Sequence, residues 1–203
     1  LYGVTFGSNL FVAVGAQGTL VFSSTGVSWT PAVSPTANAL YGVAYGNGRF
    51  VSVGNGGAMF TSSDGATWAA ADSGTANSLY SVSYSNGLFV AVGYAGTVLT
   101  SPDGLTWTTR SSGTGAKLYG LTCGTNGFVA VGYAGTLITS PDGMNWTALS
   151  SGSARALNGA SYGSNTFVTV GDSGTILASL NGGTSWTNIW TLWSQTNFTD
   201  PHS

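Results

Sequence analysis

The chain has 203 residues, of which 42% are apolar and only 5% are charged, and its formal net charge is -2. Charged residues make up ~25% of a typical globular protein, so the polar surface must come mainly from Ser, Thr, Asn and the backbone. Four Lys and Arg residues cannot supply the basic surface that nucleic acids or anionic membranes attract, so we expect neither kind of partner.

The length and the apolar content suffice for one substantial core, so a single domain is predicted. No apolar run approaches the ~18 residues of a membrane-spanning helix, and membrane insertion is not expected. The one cysteine, Cys123, excludes an internal disulfide and most metal clusters. A start at Leu1 instead of Met indicates a processed or trimmed chain, and leaves open that it belongs to a larger protein or assembly.

A repeat of 39 residues runs through the chain, with copies that begin at Leu1, Leu40, Leu79, Leu118 and Leu157. The third and fourth copies are identical at 21 of 39 positions, which establishes the period. Within each copy, apolar residues alternate over short spans separated by Gly, Asn and Asp. This pattern predicts four β-strands per copy.

In the third copy the predicted strands are 79–84, 88–93, 97–101 and 106–110. A meander of four strands cannot cover both of its faces, so five of them are expected to pack face to face around an axis. The sequence therefore predicts an all-β fold, a five-bladed β-propeller with four antiparallel strands per blade. The predicted blades are 1–39, 40–78, 79–117, 118–156 and 157–190, followed by a C-terminal tail at 191–203.

An open arc of sheets, or part of a larger ring in a longer chain, is the alternative architecture. If the chain is complete, the first copy begins with the innermost strand and the fifth ends with the outermost, so no strand is available to interleave. Closure is then expected to depend on packing between the first and fifth blades. The apolar residues Ile189, Trp190, Leu192 and Trp193 are predicted to help seal that junction.

The turn between the third and fourth strands carries a recurring motif. SPDGLTW at 101–107 returns as SPDGMNW at 140–146 and as SSDGATW at 62–68, while the first copy has Thr25 and the fifth Asn181 in place of Asp. S-x-D-G-x-x-W resembles the Asp-box, a hairpin motif of sialidases (BNR repeats) and of many other propellers. The resemblance covers all five copies and implies a non-catalytic member of that group.

The motif residues are predicted to be structural. An Asp side chain at the third position can accept hydrogen bonds from turn amides, and the Trp brings a large ring onto the blade face. Asn181 and Thr25 keep an oxygen acceptor but lose the charge, which a structural turn tolerates and a catalytic carboxylate does not. The residues assigned this role are Asp64, Asp103, Asp142 and Asn181, with Trp29, Trp68, Trp107, Trp146 and Trp186.

Catalytic groups are sparse. A sialidase-like glycosidase, the remote alternative, needs an Arg cluster, an acid and a Tyr nucleophile assisted by Glu, whereas this sequence has no Glu. Arg49 is predicted to lie on the opposite rim from Arg155. The sole histidine, His202, stands next to the end of the sequence, and Cys123 is expected to be a buried thiol. We therefore predict a protein that is not an enzyme, with no cofactor and no metal site.

Antiparallel turns alternate between the two ends of a blade, so each rim collects two kinds of turn. The first-to-second turns share one rim with the motif turns, and the second-to-third turns share the other with the links between blades. The resemblance to propellers implies a ligand on the second rim. The candidate binding residues there are Tyr94, Tyr133, Asn55, Gln17 and Asp172 in the turns, and Tyr41, Tyr80 and Tyr119 at the start of the inner strands.

Exposed tyrosines beside Ser, Thr and Asn suit the apolar face and the hydroxyls of a sugar. The prediction from sequence is an extracellular or cell-surface module that binds glycans weakly and at several places, as lectins do. The alternatives are that the inner-strand tyrosines only pack between blades, and that the protein is a structural or protein-interaction module. Its partners are then other surface proteins.

Overall fold

The computed structural model describes residues 1–189, which form five antiparallel sheets of four strands each. In every sheet the spatial order of the strands follows the chain, so each 39-residue copy is one meander. The five-bladed β-propeller predicted from the repeat is thereby confirmed.

The strands are numbered in chain order. Blade 1 contains β1 (Gly3–Gly7), β2 (Leu10–Val14), β3 (Leu20–Ser23) and β4 (Thr30–Pro31). Blade 2 contains β5 (Leu40–Gly46), β6 (Arg49–Gly54), β7 (Met59–Ser62) and β8 (Ala69–Ala70). Blade 3 contains β9 (Leu79–Ser85), β10 (Leu88–Gly93), β11 (Val98–Ser101) and β12 (Thr108–Arg110). Blade 4 contains β13 (Leu118–Gly124), β14 (Gly127–Gly132), β15 (Leu137–Ser140) and β16 (Thr147–Leu149). Blade 5 contains β17 (Leu157–Gly163), β18 (Thr166–Gly171), β19 (Ile176–Ser179) and β20 (Thr187–Asn188).

The outer strands are shorter than the sequence pattern suggests. In blade 3 the sequence predicts the outer strand at 106–110, whereas β12 begins only at Thr108. The reason is the preceding turn, in which the backbone amides of Leu105 and Thr106 both bond to the Asp103 carboxylate. Amides engaged in this way are not available to the strand ladder.

A single 3-10 turn joins the second and third strands of each blade. These turns are Ala16–Gly18, Asn55–Gly57, Tyr94–Gly96, Tyr133–Gly135 and Asp172–Gly174. In blade 3 the last residue, Gly96, has a φ of +69°, and a Cβ at this position would overlap the carbonyl oxygen of Thr114. Glycine is required here both by the backbone conformation and by the close approach of the following link.

The core is divided into four apolar clusters, each between two consecutive blades. Between blades 2 and 3, for example, Val51 and Val53 of one sheet pack with Leu79, Phe89 and Leu99 of the next. All of these side chains are fully buried. Complete burial of one such side chain contributes roughly 1.5–3 kcal/mol. Each blade is therefore stabilised mainly by its neighbours and not by its own sheet.

The first and fifth blades each keep one face uncovered within residues 1–189. Val4 of blade 1 is 64% exposed, whereas its counterparts Val43 and Val82 are 8% and 7% exposed. In blade 5, Val170 is 49% exposed, and its counterpart Val131 is fully buried. None of the four clusters joins blade 5 to blade 1. The expected packing between these blades is not found in the described part of the chain.

The predicted sealing residues lie at the limit of that part. Ile189 is described, and its backbone amide donates to the carbonyl oxygen of Ile176 at 3.0 Å, which extends the pairing of β19 and β20 by one residue. Trp190, Leu192 and Trp193 lie outside the described residues.

Candidate functional site

Contacts between neighbouring blades define the two rims of the propeller. On one rim, Asn47 in a first-to-second turn donates to the carbonyl oxygen of Pro102, in the S-x-D-G-x-x-W turn of the next blade, at 3.3 Å. This end is called the motif rim. On the other, Ser73 in the link between blades 2 and 3 donates to the carbonyl oxygen of Gly57 at 2.7 Å. This end, with the 3-10 turns and the links at 32–39, 71–78, 111–117 and 150–156, is called the link rim.

The carboxylates of the motif turns are held within their own turns. Oδ1 of Asp64 accepts hydrogen bonds from the backbone amides of Thr67 at 2.8 Å and Ala66 at 2.9 Å, and from the Ser62 hydroxyl. The amide of Thr67 contributes most to lowering the pKa of Asp64 from 3.8 to about 2. Asp103 has an equivalent set of bonds, and its pKa is likewise lowered to about 2. Such bonds favour the charged carboxylate.

The other motif residues keep the same geometry. The pKa of Asp142 is lowered well below its usual range, mainly by the amide and side chain of Asn145. Oδ1 of Asn181 accepts from the amide of Ser185 at 3.0 Å, and Oγ1 of Thr25 accepts from the amide of Val27 at 3.2 Å. A neutral oxygen thus occupies the place of the carboxylate in blades 1 and 5.

Each motif tryptophan is tied to its turn by its indole N–H. The donors Trp29, Trp68, Trp107, Trp146 and Trp186 bond to the carbonyl oxygens of Gly26, Gly65, Gly104, Gly143 and Gly183, respectively, at 2.9–3.2 Å. In blade 2 the Trp68 ring also packs against Phe50, with centroids 6.5 Å apart. The motif turns therefore use their charged and aromatic groups to build the hairpin of each blade.

The inner-strand tyrosines form a series of rings around the axis at the link rim. The ring centroids of Tyr41 and Tyr80 are 5.6 Å apart, and those of Tyr80 and Tyr119 are 5.7 Å apart. Tyr2, which sequence reasoning did not include, extends the series at 5.7 Å from Tyr41. The sequence could have indicated Tyr2, because it is the second residue of its copy, as Tyr41 and Tyr80 are of theirs. Burial raises the pKa of Tyr80.

These tyrosines line an axial cavity of about 380 Å³ to which all five blades contribute. In blade 5 the tyrosine is replaced by Asn158, whose side-chain amide donates to the carboxylate of Asp172 at 2.7 Å. The inner-strand tyrosines thus contact one another across blade boundaries and also face a cavity.

Tyr94 and Tyr133, in the 3-10 turns of blades 3 and 4, are brought together in a separate cleft of about 330 Å³. They are 46% and 58% exposed. The link residue Lys117 also lines this cleft, and its ammonium nitrogen lies 5.6 Å from the centroid of the Tyr94 ring. Sequence reasoning missed Lys117, although its position as the sole lysine, two residues before Tyr119, could have drawn attention to it.

A wider groove of about 600 Å³ adjoins this cleft, and Ala95 lines both. Its walls are rich in hydroxyl and amide groups, including those of Thr75, Asn77, Thr97 and Thr114. Arg110 also lines the groove, and its guanidinium donates to the Thr100 hydroxyl at 2.9 Å. The cleft and the groove together form an open, polar surface with two aromatic rings at one end.

The remaining candidates do not join these sites. Gln17 and Asn55 are in the 3-10 turns of blades 1 and 2 and are absent from the linings of all three cavities. Asn55 is already engaged, since its side-chain oxygen accepts from the Ser78 hydroxyl at 2.9 Å. The candidate set of the link rim is therefore divided between an axial cavity, a lateral cleft and the three turns that carry Gln17, Asn55 and Asp172.

Groups that could serve catalysis are dispersed. Arg49 lies at the motif rim, where a Cβ on Gly104 would meet its side chain, while Arg155 is in a link of the opposite rim. Cys123 is half-buried and not fully buried as expected, because it lies near the end of β13, where Thr122 and Gly124 are also only half-buried. Its Sγ lies 3.7 Å from the hydroxyl of Ser83. Within residues 1–189 there is no group of three or more His, Cys, Asp or Glu side chains that could hold a metal ion.

Five four-stranded meanders arranged around one axis define a β-propeller, a fold consistent with a binding or protein-interaction module. The chain belongs to the family described as the DUF6242 beta propeller domain, whose model matches residues 2–118. No curated protein matches the sequence significantly. None of the helices in the described residues is long and apolar enough to cross a membrane.

Solved structures with the same fold are distant in sequence. YCF48 bound to D1 peptide is 19% identical, with a TM-score of 0.68 over 88% of this chain and 62% of that one. The WD40 beta propeller domain of Doa1 is 14% identical, with a TM-score of 0.72 over 90% of this chain and 66% of that one. The nidogen/laminin complex is 13% identical, with a TM-score of 0.68 over 87% and 74%. These likenesses show the fold alone, and the chain spans less than two thirds of the length of the first.

Proposed function

We propose that this chain is a non-enzymatic binding module that holds a peptide segment of a partner protein on its link rim. The observation that carries the proposal is the pairing of Tyr94 and Tyr133 in one cleft that opens into a polar groove. Aromatic rings supply contact area at low conformational cost, and they are enriched among the residues that dominate binding energy.

The shape of the surface favours an extended ligand. The cleft and the adjoining groove share Ala95, so a chain segment placed on the tyrosines continues into a channel lined with Thr, Ser and Asn groups. The Thr75 and Thr114 hydroxyls each accept from a link amide at 3.1 Å, and their O–H groups can still donate to a peptide carbonyl. Two distant propellers support this class of partner, because one is described with a bound peptide and the other in a protein complex.

The proposal is tested by selecting peptides from a random displayed library against the chain. Binders are then measured on a variant with Tyr94→Ala and Tyr133→Ala. We expect the double substitution to weaken binding about tenfold or more, as for residues that dominate an interface. Leu105→Ala with Met144→Ala is the matched control, because it removes exposed apolar side chains from the opposite rim. Equal losses in both variants, or no selected peptide, would exclude the link rim as a peptide site.

Lectin-like glycan binding at the same tyrosines is the second candidate. It is favoured by the hydroxyl-rich groove beside two exposed rings, an arrangement that suits a sugar. It ranks second because the distant propellers described with a partner hold a peptide or another protein. A glycan array probed with the folded protein and with the Tyr94→Ala, Tyr133→Ala variant tests it. A clean negative array removes it. A location outside the cell or at its surface stays a prediction.

Assembly is the third candidate, and a different surface favours it. Blade 1 exposes Val4 and Phe6 on the face that the other blades pack against the preceding blade. Blade 5 exposes Val170 on the face that the other blades pack against the following blade. A second copy offers the complementary surface, in a head-to-tail contact. Light scattering after size exclusion should then show association that depends on concentration and is lost with Val4→Ser and Phe6→Ser. A monomer at high concentration refutes it.

A further inference from the structure

The ammonium of Lys117 borders two aromatic sites of the link rim. It lies 5.6 Å from the centroid of the Tyr94 ring and lines the cleft together with Tyr133. It also acts electrostatically on Tyr80, which lines the axial cavity. The Lys117 residue itself is exposed. A cation above an aromatic ring is attracted by the ring quadrupole, but the ring carries no net charge to neutralise it.

The carboxylates of the described residues are engaged elsewhere. Three of them, Asp64, Asp103 and Asp142, are bonded within the motif turns of the opposite rim. On the link rim, Asp72 accepts from the amide of Gly74 at 2.8 Å, and Asp172 accepts from Asn158 at 2.7 Å. Among residues 1–189, the Lys117 ammonium therefore lies over an aromatic ring and not beside a carboxylate.

Charge is distributed unequally between the two rims. The links of the link rim carry Lys117 and Arg155, and Arg110 at the adjoining end of β12 lines the groove of the same rim, against two carboxylates. The motif rim carries Arg49 with three carboxylates. The net charge of the whole chain is negative, yet the rim that holds the cleft is positive. Such asymmetry guides an anionic ligand to one face, within a screening length of about 8 Å at physiological ionic strength.

We propose that the cleft of Tyr94, Lys117 and Tyr133 binds a carboxylate of an acidic peptide. The inference rests on the proposed function and adds the chemistry of the ligand. The carboxylate pairs with the Lys117 ammonium, and the neighbouring apolar atoms of the peptide lie against the two tyrosine rings. Both an Asp or Glu side chain and a free C-terminal carboxylate carry this group.

The experiment uses peptides selected on the full chain and synthesised in matched pairs. One arm replaces Asp or Glu by Asn or Gln, and the other replaces the free C-terminus by an amide, so that the two sources of the carboxylate are distinguished. Fluorescence anisotropy gives the dissociation constant of each pair. We expect the acidic peptide of one pair to bind about tenfold more tightly than its amide, and this advantage to shrink in high salt.

Variants of the protein identify the cation. Lys117→Gln should bind the acid and the amide equally, whereas Lys117→Arg should keep most of the difference because it retains the charge. Arg49→Gln makes the same change of charge on the opposite rim and should leave both constants unchanged. Thermal unfolding of each variant checks that the fold is intact.

The outcomes separate the two proposals. If wild-type protein binds acid and amide peptides equally, the carboxylate inference is wrong while peptide binding stands. If no peptide is selected, peptide binding and the inference that rests on it both fail. Binding of an acidic polysaccharide such as polygalacturonate that depends on Lys117, without any peptide binding, would also overturn the proposal and assign the cleft to sugars.

Discussion

The hydroxyl of Ser73 donates to the carbonyl oxygen of Gly57 at 2.7 Å and so ties a link between blades to the 3-10 turn that precedes it. Ser151 makes the same bond to Gly135 at 2.6 Å in blade 4. Both serines are buried. The link rim is therefore a preformed surface, in which the turns that carry the candidate ligand residues are anchored to the links beside them.

A substitution at Gly96 tests how closely the 3-10 turn of blade 3 packs against the link that follows. Gly96→Ala places a methyl group against the carbonyl of Thr114 at a φ of +69°, whereas Gly113→Ala has a similar φ of +70° with nothing within 4 Å. The conformational penalty of about 1–2 kcal/mol is common to both variants. We expect Gly96→Ala to lower the free energy of unfolding by about 2 kcal/mol or more beyond the loss in Gly113→Ala, because the link must also move. Chemical denaturation of the two variants measures the difference.

Ser52 is a buried residue, and removing its hydroxyl should stabilise the protein. Its hydroxyl has no hydrogen-bond partner among the described residues, and the equivalent positions of blades 1, 3 and 4 hold Ala13, Ala91 and Ala130. Ser52→Ala is expected to raise the free energy of unfolding by about 1 kcal/mol, since an unsatisfied buried hydroxyl is costly.

The control for Ser52 is Thr169, at the same position in blade 5. Its hydroxyl donates to the carbonyl oxygen of Gly159 at 2.8 Å. Thr169→Val removes that bond and should lower the free energy of unfolding by about 1 kcal/mol. A loss of stability in Ser52→Ala would mean that its hydroxyl does have a partner.

Because one face of blade 1 is uncovered, replacing Val by Ala should affect stability differently at two equivalent positions of the repeat. Val82→Ala empties a buried site and should cost about 2 kcal/mol from lost burial and the remaining cavity. Val4→Ala, on the exposed face, should change stability by less than about 0.5 kcal/mol. Unfolding curves at low protein concentration compare them. A comparable cost for Val4→Ala would show that this face is covered in solution.

The motif carboxylates predict how stability depends on acid pH. Because the pKa values of Asp64 and Asp103 are lowered from 3.8 to about 2, their contribution is present above about pH 4 and is lost as the pH falls towards 2. Asp142 shifts in the same direction. The melting temperature of the wild-type protein should therefore fall across that interval.

The control variant combines Asp64→Asn, Asp103→Asn and Asp142→Asn, which copies the neutral acceptor of Asn181. Its melting temperature should fall less steeply over the same interval, because these three groups no longer titrate. Parallel curves for the two proteins would contradict the link between the carboxylates and acid stability.

The functional candidates were less predictable than the fold. The period placed Tyr94 and Tyr133 in equivalent turns, but nothing in the repeat says that these turns share a cleft, or that Lys117 lies over one of the rings. Asn55 appeared equivalent to Tyr94 by position, and the structure finds its side chain already bonded to Ser78. Identical backbone positions thus become different chemical sites.

The sequence by itself determined the number of blades, the order of their strands and the division of turns between two rims. It could do so because the alternation of apolar residues and the turn residues are local features, and the 39-residue period repeats them in each copy. Only the tertiary structure decided that Tyr2 joins the axial rings, that Val4 and Val170 remain exposed, and that Lys117 contacts Tyr94. These features depend on the distance and the angle between neighbouring sheets. Packing between side chains of different copies decides both.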